Sequence, residues 1–137
     1  MIVDVGQSNI AAAAAIHSAS WTDSHRSFCS MDFVALHTPQ HQLEYLQYKL
    51  NAGSRIFLLI DAVPAGIVSV SGNLIEDLYV LPKLQNRGYG TTLLRFAIGQ
   101  CDDTPTLWIL ENNVNAERLY ARMGFRRQAG STVSRTS

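Results

Sequence analysis

Between Leu78 and Thr91 the chain reads Leu78-Tyr79-Val80-Leu81-Pro82-Lys83-Leu84-Gln85-Asn86-Arg87-Gly88-Tyr89-Gly90-Thr91. An apolar run ends, a short loop turns at Pro82, and two glycines open a stretch of helical periodicity. Such a junction suits a phosphate-bearing ligand. The first turn of a helix holds four amide N–H groups without helical partners, and the aligned peptide dipoles add partial positive charge. Glycine lets the backbone approach the ligand and adopt positive φ. The G-x-G spacing equally suits an ordinary turn into a helix, and the residues alone leave both readings open. Two other phosphate loops are excluded: no G-x-x-x-x-G-K-[ST] occurs, and the dinucleotide fingerprint needs a third glycine where Leu93 stands.

Other residues with chemistry are less sharply placed. Tyr120 shares a helical stripe with Ala116, Leu119 and Met123, a position that also suits a core tyrosine whose hydroxyl finds a partner. Glu76 and Asp77 are adjacent on a strand, so register decides which carboxylate faces a cleft, and a bulge would exchange them. His17, His25, His37 and His41 all lie in the first half; His17 and Trp21 are one helical turn apart and could line a shared pocket. Cys29 and Cys101 belong to no metal-ligand spacing, which predicts no metal site and reduced thiols in the cytoplasm.

The elements that must position these groups follow from patterning. Ile2–Val5 reads as a first strand, and Ser8 or Asn9 caps a helix through about Ser20. Ser24–Leu36 reads as irregular. Thr38 is an N-cap with Pro39 in the first helical position; Leu43, Leu46 and Leu50 form the buried stripe, and Gly53 stops the helix. Strands follow at Arg55–Ile60, Ala65–Val70 and Leu74–Leu81, the last two joined by the hairpin signal Ser71-Gly72-Asn73. After Gly90 a helix buries Leu93, Leu94, Ala97, Ile98 and Cys101. Thr106–Leu110 is a strand, Asn115–Met123 a helix ended by Gly124, and Arg127 onward one edge strand before a polar tail, Ser131–Ser137. Hairpins feeding a strand–helix–strand unit make the class mixed α/β.

The chain has 137 residues, enough for one domain, here 1–137, and too few for two of ordinary size. Its 47% hydrophobic and 16% charged residues suit a packed core rather than disorder. Eleven basic and eleven acidic side chains cancel, so any anion site must be local, and nucleic acid is not an expected partner. The Ala11–Ala15 run lacks a preceding Lys or Arg and closes at His17, so it does not read as a signal peptide; no stretch reaches the roughly 18 apolar residues of a membrane span.

Gln85-x-x-Gly88-x-Gly90, after the strand Asp77-Leu78-Tyr79-Val80, resembles the pyrophosphate-binding motif [QR]-x-x-G-x-[GA] of the GNAT N-acetyltransferases. Downstream, Leu107-Trp108-Ile109 followed by Asn113-x-x-Ala116-x-x-x-Tyr120-x-x-x-Gly124-Phe125 is similar to that family's second conserved block. The match covers about Ile75–Arg126; upstream only the order of elements fits. The resemblance implies a mostly antiparallel central sheet splayed between two parallel strands and flanked by about four helices. It implies that backbone groups of Leu78 and Val80 pair with the pantetheine arm of acetyl-CoA, with Tyr79 also in the cofactor site. Gln85, Asn86, Arg87, Gly88, Tyr89, Gly90 and Thr91 would hold the pyrophosphate, with Lys83 or Arg87 near phosphate. Asn113 would stand at the pantetheine side, or simply cap the last helix. Tyr120 stands where the family has its general acid, and Glu76 or Asp77 where it often places a carboxylate base, Glu76 being preferred.

The activity so implied is direct transfer of acetyl from acetyl-CoA to an amine in a ternary complex, without metal. A backbone N–H near Val80 would polarise the thioester, and neither cysteine has a placed base for a covalent route. The alternative is a non-catalytic module that keeps acyl-CoA to regulate a partner. The acceptor, a small-molecule amine or a protein amine, is not specified; its pocket would come from about Trp21–His41. Arg122, Arg126 and Arg127 read as surface charge, and a homodimer is compatible with the sequence.

Overall fold

The computed structural model describes residues 1–25, 30, 37–108, 114–127 and 132–135. Within them run β1 (Ile2–Asp4), α1 (Ile10–His25), α2 (Pro39–Asn51), β2 (Arg55–Asp61), β3 (Val63–Ser71) and β4 (Leu74–Val80). A short 3₁₀ turn at Pro82–Leu84 leads to α3 (Tyr89–Gln100), β5 (Thr106–Trp108), α4 (Val114–Arg122), β6 (Phe125–Arg127) and β7 (Thr132–Arg135). The strands form one seven-stranded sheet in the order β1-β2-β3-β4-β5-β7-β6, antiparallel except where β4 meets β5. This is the mixed, mostly antiparallel α/β sheet that the resemblance implies.

Both faces of the sheet are covered, which explains why β2 reads as a continuous apolar run rather than an alternating one. Ile56, Leu58 and Ile67 pack with Val5, Ile10, Ala13, Ala14, Ile16 and Leu46 under α1 and α2. Phe57, Leu59, Val68, Val70 and Ile75 pack on the opposite face with Leu93, Leu94 and Ala97 of α3 and Tyr120 of α4.

Thr38 caps α2 as its sequence predicts, its hydroxyl accepting from the His41 amide at 3.1 Å, with Pro39 next. The fully buried residues of α2 are Gln42, Leu46 and Lys49; Leu43 and Leu50 are only partly buried. The stripe is thus turned from the expected one, because Lys49 has anionic partners below it. Helix α1 runs past Ser20 to His25, since its serines find acceptors outside the helix: Ser18 Oγ donates to the His37 carbonyl at 2.6 Å and Ser20 Oγ to that of Val80 at 3.1 Å.

At the C-terminal end the expected single edge strand from Arg127 is a pair. β6 begins at Phe125, and Thr132–Arg135, read in sequence as polar tail, is β7, inserted between β5 and β6. Backbone pairing to β5 compensates for the strand's lack of a long apolar run. The expected strand end at Ile109–Leu110 and the irregular segment 26–36, Ser30 apart, lie outside the described residues.

One glycine fixes the close approach of β3 to β4. A Cβ on Gly66 would lie 2.8 Å from the Tyr79 carbonyl oxygen and 2.7 Å from Leu93 Cδ1. Gly66→Ala therefore costs stability, roughly 1–3 kcal/mol as for other overpacked sites, read as a lower urea midpoint with unchanged m-value.

Candidate active site

The site begins where two strands part. β4 and β5 pair in parallel at Leu74↔Thr106 and Ile75↔Leu107, and no further pairing between them occurs among the described residues. Beyond Ile75 the gap becomes a cavity of ≈ 620 Å³. Leu78, Tyr79 and Val80 form one wall, and Ala116, Arg118, Leu119, Tyr120 and Arg122 of α4 the other. Leu81 N–H bonds the Ala65 carbonyl of β3 at 2.9 Å. By alternation along the strand, the N–H and C=O of Val80 turn to the parted edge. The Val80 carbonyl there accepts from Ser20 Oγ at 3.1 Å and Gln85 Nε2 at 3.3 Å.

The loop entering α3 closes one end of this cavity. Asn86 (φ 65°) and Gly88 (φ 87°) are both left-handed, and α3 starts directly after Gly88. That curl leaves the first amides of α3 at the cavity, whose lining includes Gln85, Asn86, Gly88, Tyr89, Gly90 and Thr91. A Cβ on Gly88 would meet nothing within 4 Å, so its glycine answers to φ. Gly90 answers to packing: a Cβ there would stand 3.3 Å from Leu119 Cδ2. Arg122 reaches Thr91 Oγ1 at 3.4 Å across the cavity mouth. Amides at the entry of α3, with Arg118 and Arg122 also lining the cavity, make a place where an anion can be held.

Tyr120 is 8% exposed, and burial pushes its hydroxyl up to about 12, so it holds its proton through neutral pH. Its ring packs 6.2 Å from that of Phe125 while lining the cavity.

A β-bulge then sets the other side of β4. Ile67 faces Tyr79 and Ser69 faces Glu76, so Asp77 and Leu78 together oppose Val68, with Asp77 at φ 52°. The bulge turns Asp77 under α1 and α2. Its carboxylate accepts from Lys49 Nζ at 2.6 Å, Ser69 Oγ at 2.8 Å, Tyr45 OH at 3.2 Å and His17 Nε2 at 3.2 Å. Burial alone would raise the Asp77 carboxyl, but the His17 hydrogen bond and the Lys49 charge outweigh it and hold it far below the usual carboxylate range. Burial and the neighbouring Asp77 charge push the phenols of Tyr45 and Tyr79 upward. Lys49 also meets Glu76 Oε1 at 2.9 Å. Above Asp77 lies a second cavity of ≈ 260 Å³, lined by His17, Trp21, His37, His41, Gln42, Tyr45, Asp77 and Tyr79. Tyr79 contributes to the lining of both cavities.

The family model described as Acetyltransferase (GNAT) family matches residues 19–125, most of the chain and the whole lining of the larger cavity. The chain belongs to the GNAT acetyltransferase family. Solved structures carry the same fold. The PaiA N-acetyltransferase of Thermoplasma acidophilum, solved with coenzyme A, is 15% identical with TM-score 0.77, over 100% of this chain and 98% of that one. An acetyltransferase from Thermus thermophilus is 21% identical, TM-score 0.72, over 98% and 92%. YncA from Salmonella typhimurium, solved with its cofactor acetyl-CoA, is 16% identical, TM-score 0.68, over 98% and 88%. No curated protein sequence matches.

In this GNAT chain, ten of the residues expected to contact the cofactor line the larger cavity: Leu78, Tyr79, Val80, Gln85, Asn86, Gly88, Tyr89, Gly90, Thr91 and Tyr120. Arg87 is exposed and lines neither cavity; Asn113 lies outside the described residues. Glu76 is paired with Lys49 and also lines neither cavity, whereas Asp77 lines the smaller one. Sequence reasoning missed Arg118 and took Arg122 for plain surface charge. Their i, i+4 spacing beside Tyr120 is the signal that marks them. It also missed Tyr45 and Lys49, whose polarity hid them within an otherwise apolar helix face. No helix among the described residues is long and apolar enough to cross a membrane.

Proposed function

We propose that this GNAT protein moves the acetyl group of acetyl-CoA to an amine nitrogen by direct attack, with both substrates bound in one domain, residues 1–137, acting in the cytoplasm. The observation that carries the reading is the cavity at the parted β4–β5 edge, which is lined by the entry of α3 and by the buried Tyr120 alike.

The cosubstrate supplies an activated acetyl thioester. Leu78 and Val80 offer backbone groups to the pantetheine arm as a neighbouring strand would. The amides from Gln85 to Thr91 hold the pyrophosphate, with Arg118 and Arg122 adding charge. The Val80 N–H donates to the thioester oxygen, where negative charge grows during attack. Tyr120, protonated at neutral pH, donates to the departing sulfur. The acceptor also needs a proton taken away: a lysine-like amine with pKa of about 10.4 is only about 0.04% neutral at pH 7. Asp77, held as a carboxylate by Lys49, Ser69, Tyr45 and His17, orients its neighbours rather than taking that proton. Glu76 is more exposed, and its carboxylate serves as the base through water.

The test is metal-free binding of acetyl-CoA. At a hundredfold excess over Kd it stabilises the native state by roughly 2.7 kcal/mol, a rise in Tm of roughly 5–15 °C. Absence of both a thermal shift and calorimetric heat at saturating acetyl-CoA would sink the assignment. Gly88→Val separates the cradle from the fold. An added Cβ meets no protein atom within 4 Å, so the main loss in the apo protein is the strain of a branched residue at φ 87°, roughly 1–3 kcal/mol. CoA affinity falls by at least about tenfold, because the branched side chain blocks the approach of the anion to the cradle amides. Wild-type affinity in a folded Gly88→Val protein would move the pyrophosphate elsewhere.

A further inference from the structure

The two halves of β4 turn opposite sets of residues toward β5. Thr106 N–H donates to the Asn73 carbonyl at 2.9 Å, so up to Ile75 the odd-numbered residues present their backbone polar groups to β5. Beyond the bulge the order is reversed. Leu81 N–H donates to the Ala65 carbonyl of β3 at 2.9 Å, so the odd-numbered residues now face β3 and Val80 faces the gap. The bulge makes this exchange, since Asp77 and Leu78 together oppose Val68. A regular strand would instead turn Leu81 N–H into the gap and Val80 N–H against β3.

The bulge depends on a residue in an unfavourable conformation. Asp77 sits at φ 52°, which aspartate reaches more readily than most residues but at a cost that glycine escapes. Such a residue persists where its surroundings over-determine it. Here they do. The Asp77 side chain is 9% exposed, and its carboxylate accepts from His17 of α1, Tyr45 and Lys49 of α2, and Ser69 of β3. Ser69 is also the residue paired with Glu76 at the start of the bulge, and its hydroxyl accepts from Lys49 Nζ at 3.0 Å. Flattening the bulge would draw the carboxylate away from these donors and deprive the buried Lys49 of its nearer anion. Asp77 lines the smaller cavity and not the larger, so its side chain stands outside the cofactor gap.

We propose that Asp77 is a positioning residue for acetyl-CoA: its gripped carboxylate holds residue 77 left-handed, and the bulge so fixed aims the N–H and C=O of Val80 into the gap. This inference rests on the acetyl-transfer reading and adds to it a residue that acts on the cofactor through the backbone alone. Helices α1 and α2, which carry His17, Tyr45 and Lys49, thereby set the geometry of a strand edge they do not form. In that reading the phosphates are held at the entry of α3, so Asp77 governs the pantetheine arm and the thioester only.

CoA and 3′-phospho-ADP, which is CoA without its pantetheine arm, are titrated by calorimetry into wild type, Asp77→Gly and Asp77→Ala. Amide exchange of the three proteins is followed by NMR. Glycine adopts the left-handed conformation without any grip, whereas alanine lacks both the grip and the tolerance. Asp77→Ala is expected to weaken CoA by at least about tenfold and 3′-phospho-ADP by less than about twofold. Asp77→Gly is expected to keep CoA within about threefold of wild type. In wild type and Asp77→Gly the Val80 amide exchanges faster than that of Leu81, and in Asp77→Ala that order is lost. Unchanged CoA affinity in Asp77→Ala, or an equal loss of both ligands there, overturns the proposal. So does a CoA loss as large in Asp77→Gly as in Asp77→Ala, because a side chain acting directly is missed alike in both. If Asp77→Ala does not fold, Asp77→Gly decides: CoA within about threefold of wild type supports the proposal and a larger loss overturns it. Failure of the wild type to bind either ligand would discard acetyl transfer, and the exchange order in the variants would then judge the grip by itself.

Discussion

Tyr120→Phe is expected to lower turnover by at least about tenfold, within the 10²–10⁴-fold that general-acid groups typically contribute, allowing for partial replacement by water. The ring stays, still packed with Phe125 in the core cluster around Leu93 and Leu94, so stability changes by less than about 1.5 kcal/mol. CoA affinity stays within about twofold, because the α3 cradle and the parted strand edge supply the anchoring and both are untouched. The loss is confined to the phenolic proton at the departing sulfur. Burial holds that phenol near 12, so the wild-type rate shows no Tyr120-dependent fall through the neutral range, and the two pH profiles run parallel there. Turnover and CoA affinity measured side by side settle the matter. Full activity in a folded Tyr120→Phe protein would make this residue a core tyrosine and leave the sulfur to solvent.

Lys49→Met is expected to cost roughly 3–5 kcal/mol of stability near neutral pH, the usual result of removing one partner from a buried ion pair. Methionine is close to lysine in length and volume, so packing is nearly conserved and the loss is electrostatic: Asp77 and Glu76 are left with no ammonium between them. The sign of the pH dependence follows from Asp77. In the wild type its folded carboxyl lies far below its unfolded value, so its contribution is full above about pH 4–5 and is lost as pH falls. Without Lys49 that carboxyl binds its proton more readily, and acid relieves the variant. The gap between the two proteins in urea midpoint therefore narrows from about pH 7.5 to about pH 4.5. A gap that stays constant across that range would assign the loss to packing.

The split between what the chain spelled out and what folding decided runs along particular residues. Local signals were legible because each depends on neighbours in sequence. Thr38-Pro39 starts α2 by supplying an acceptor and a preset φ, Gly72-Asn73 closes a two-residue hairpin, and Gly88 allows the left-handed entry to α3. That ten of the expected residues share one cavity was readable for the same reason, since they are grouped on β4 and the α3 entry or sit on one stripe of α4. The second cavity was not readable. Its floor depends on a bulge that turns Asp77, rather than Glu76, beneath α2, and strand alternation cannot say where a bulge falls. Lys49 and Tyr45 were missed because a polar residue on a helix looks exposed until a carboxylate 28 or 32 residues away comes to meet it. Arg122 meets Thr91, and Arg118 joins it in the cavity lining, only because α4 packs beside the entry of α3 in the folded chain. β7 escaped notice because its pairing with β5, not its own composition, makes it a strand. Short-range spacing determined the left-handed entry to α3; long-range charge pairing, which exists only in the folded chain, decided which carboxylate is buried beneath α2.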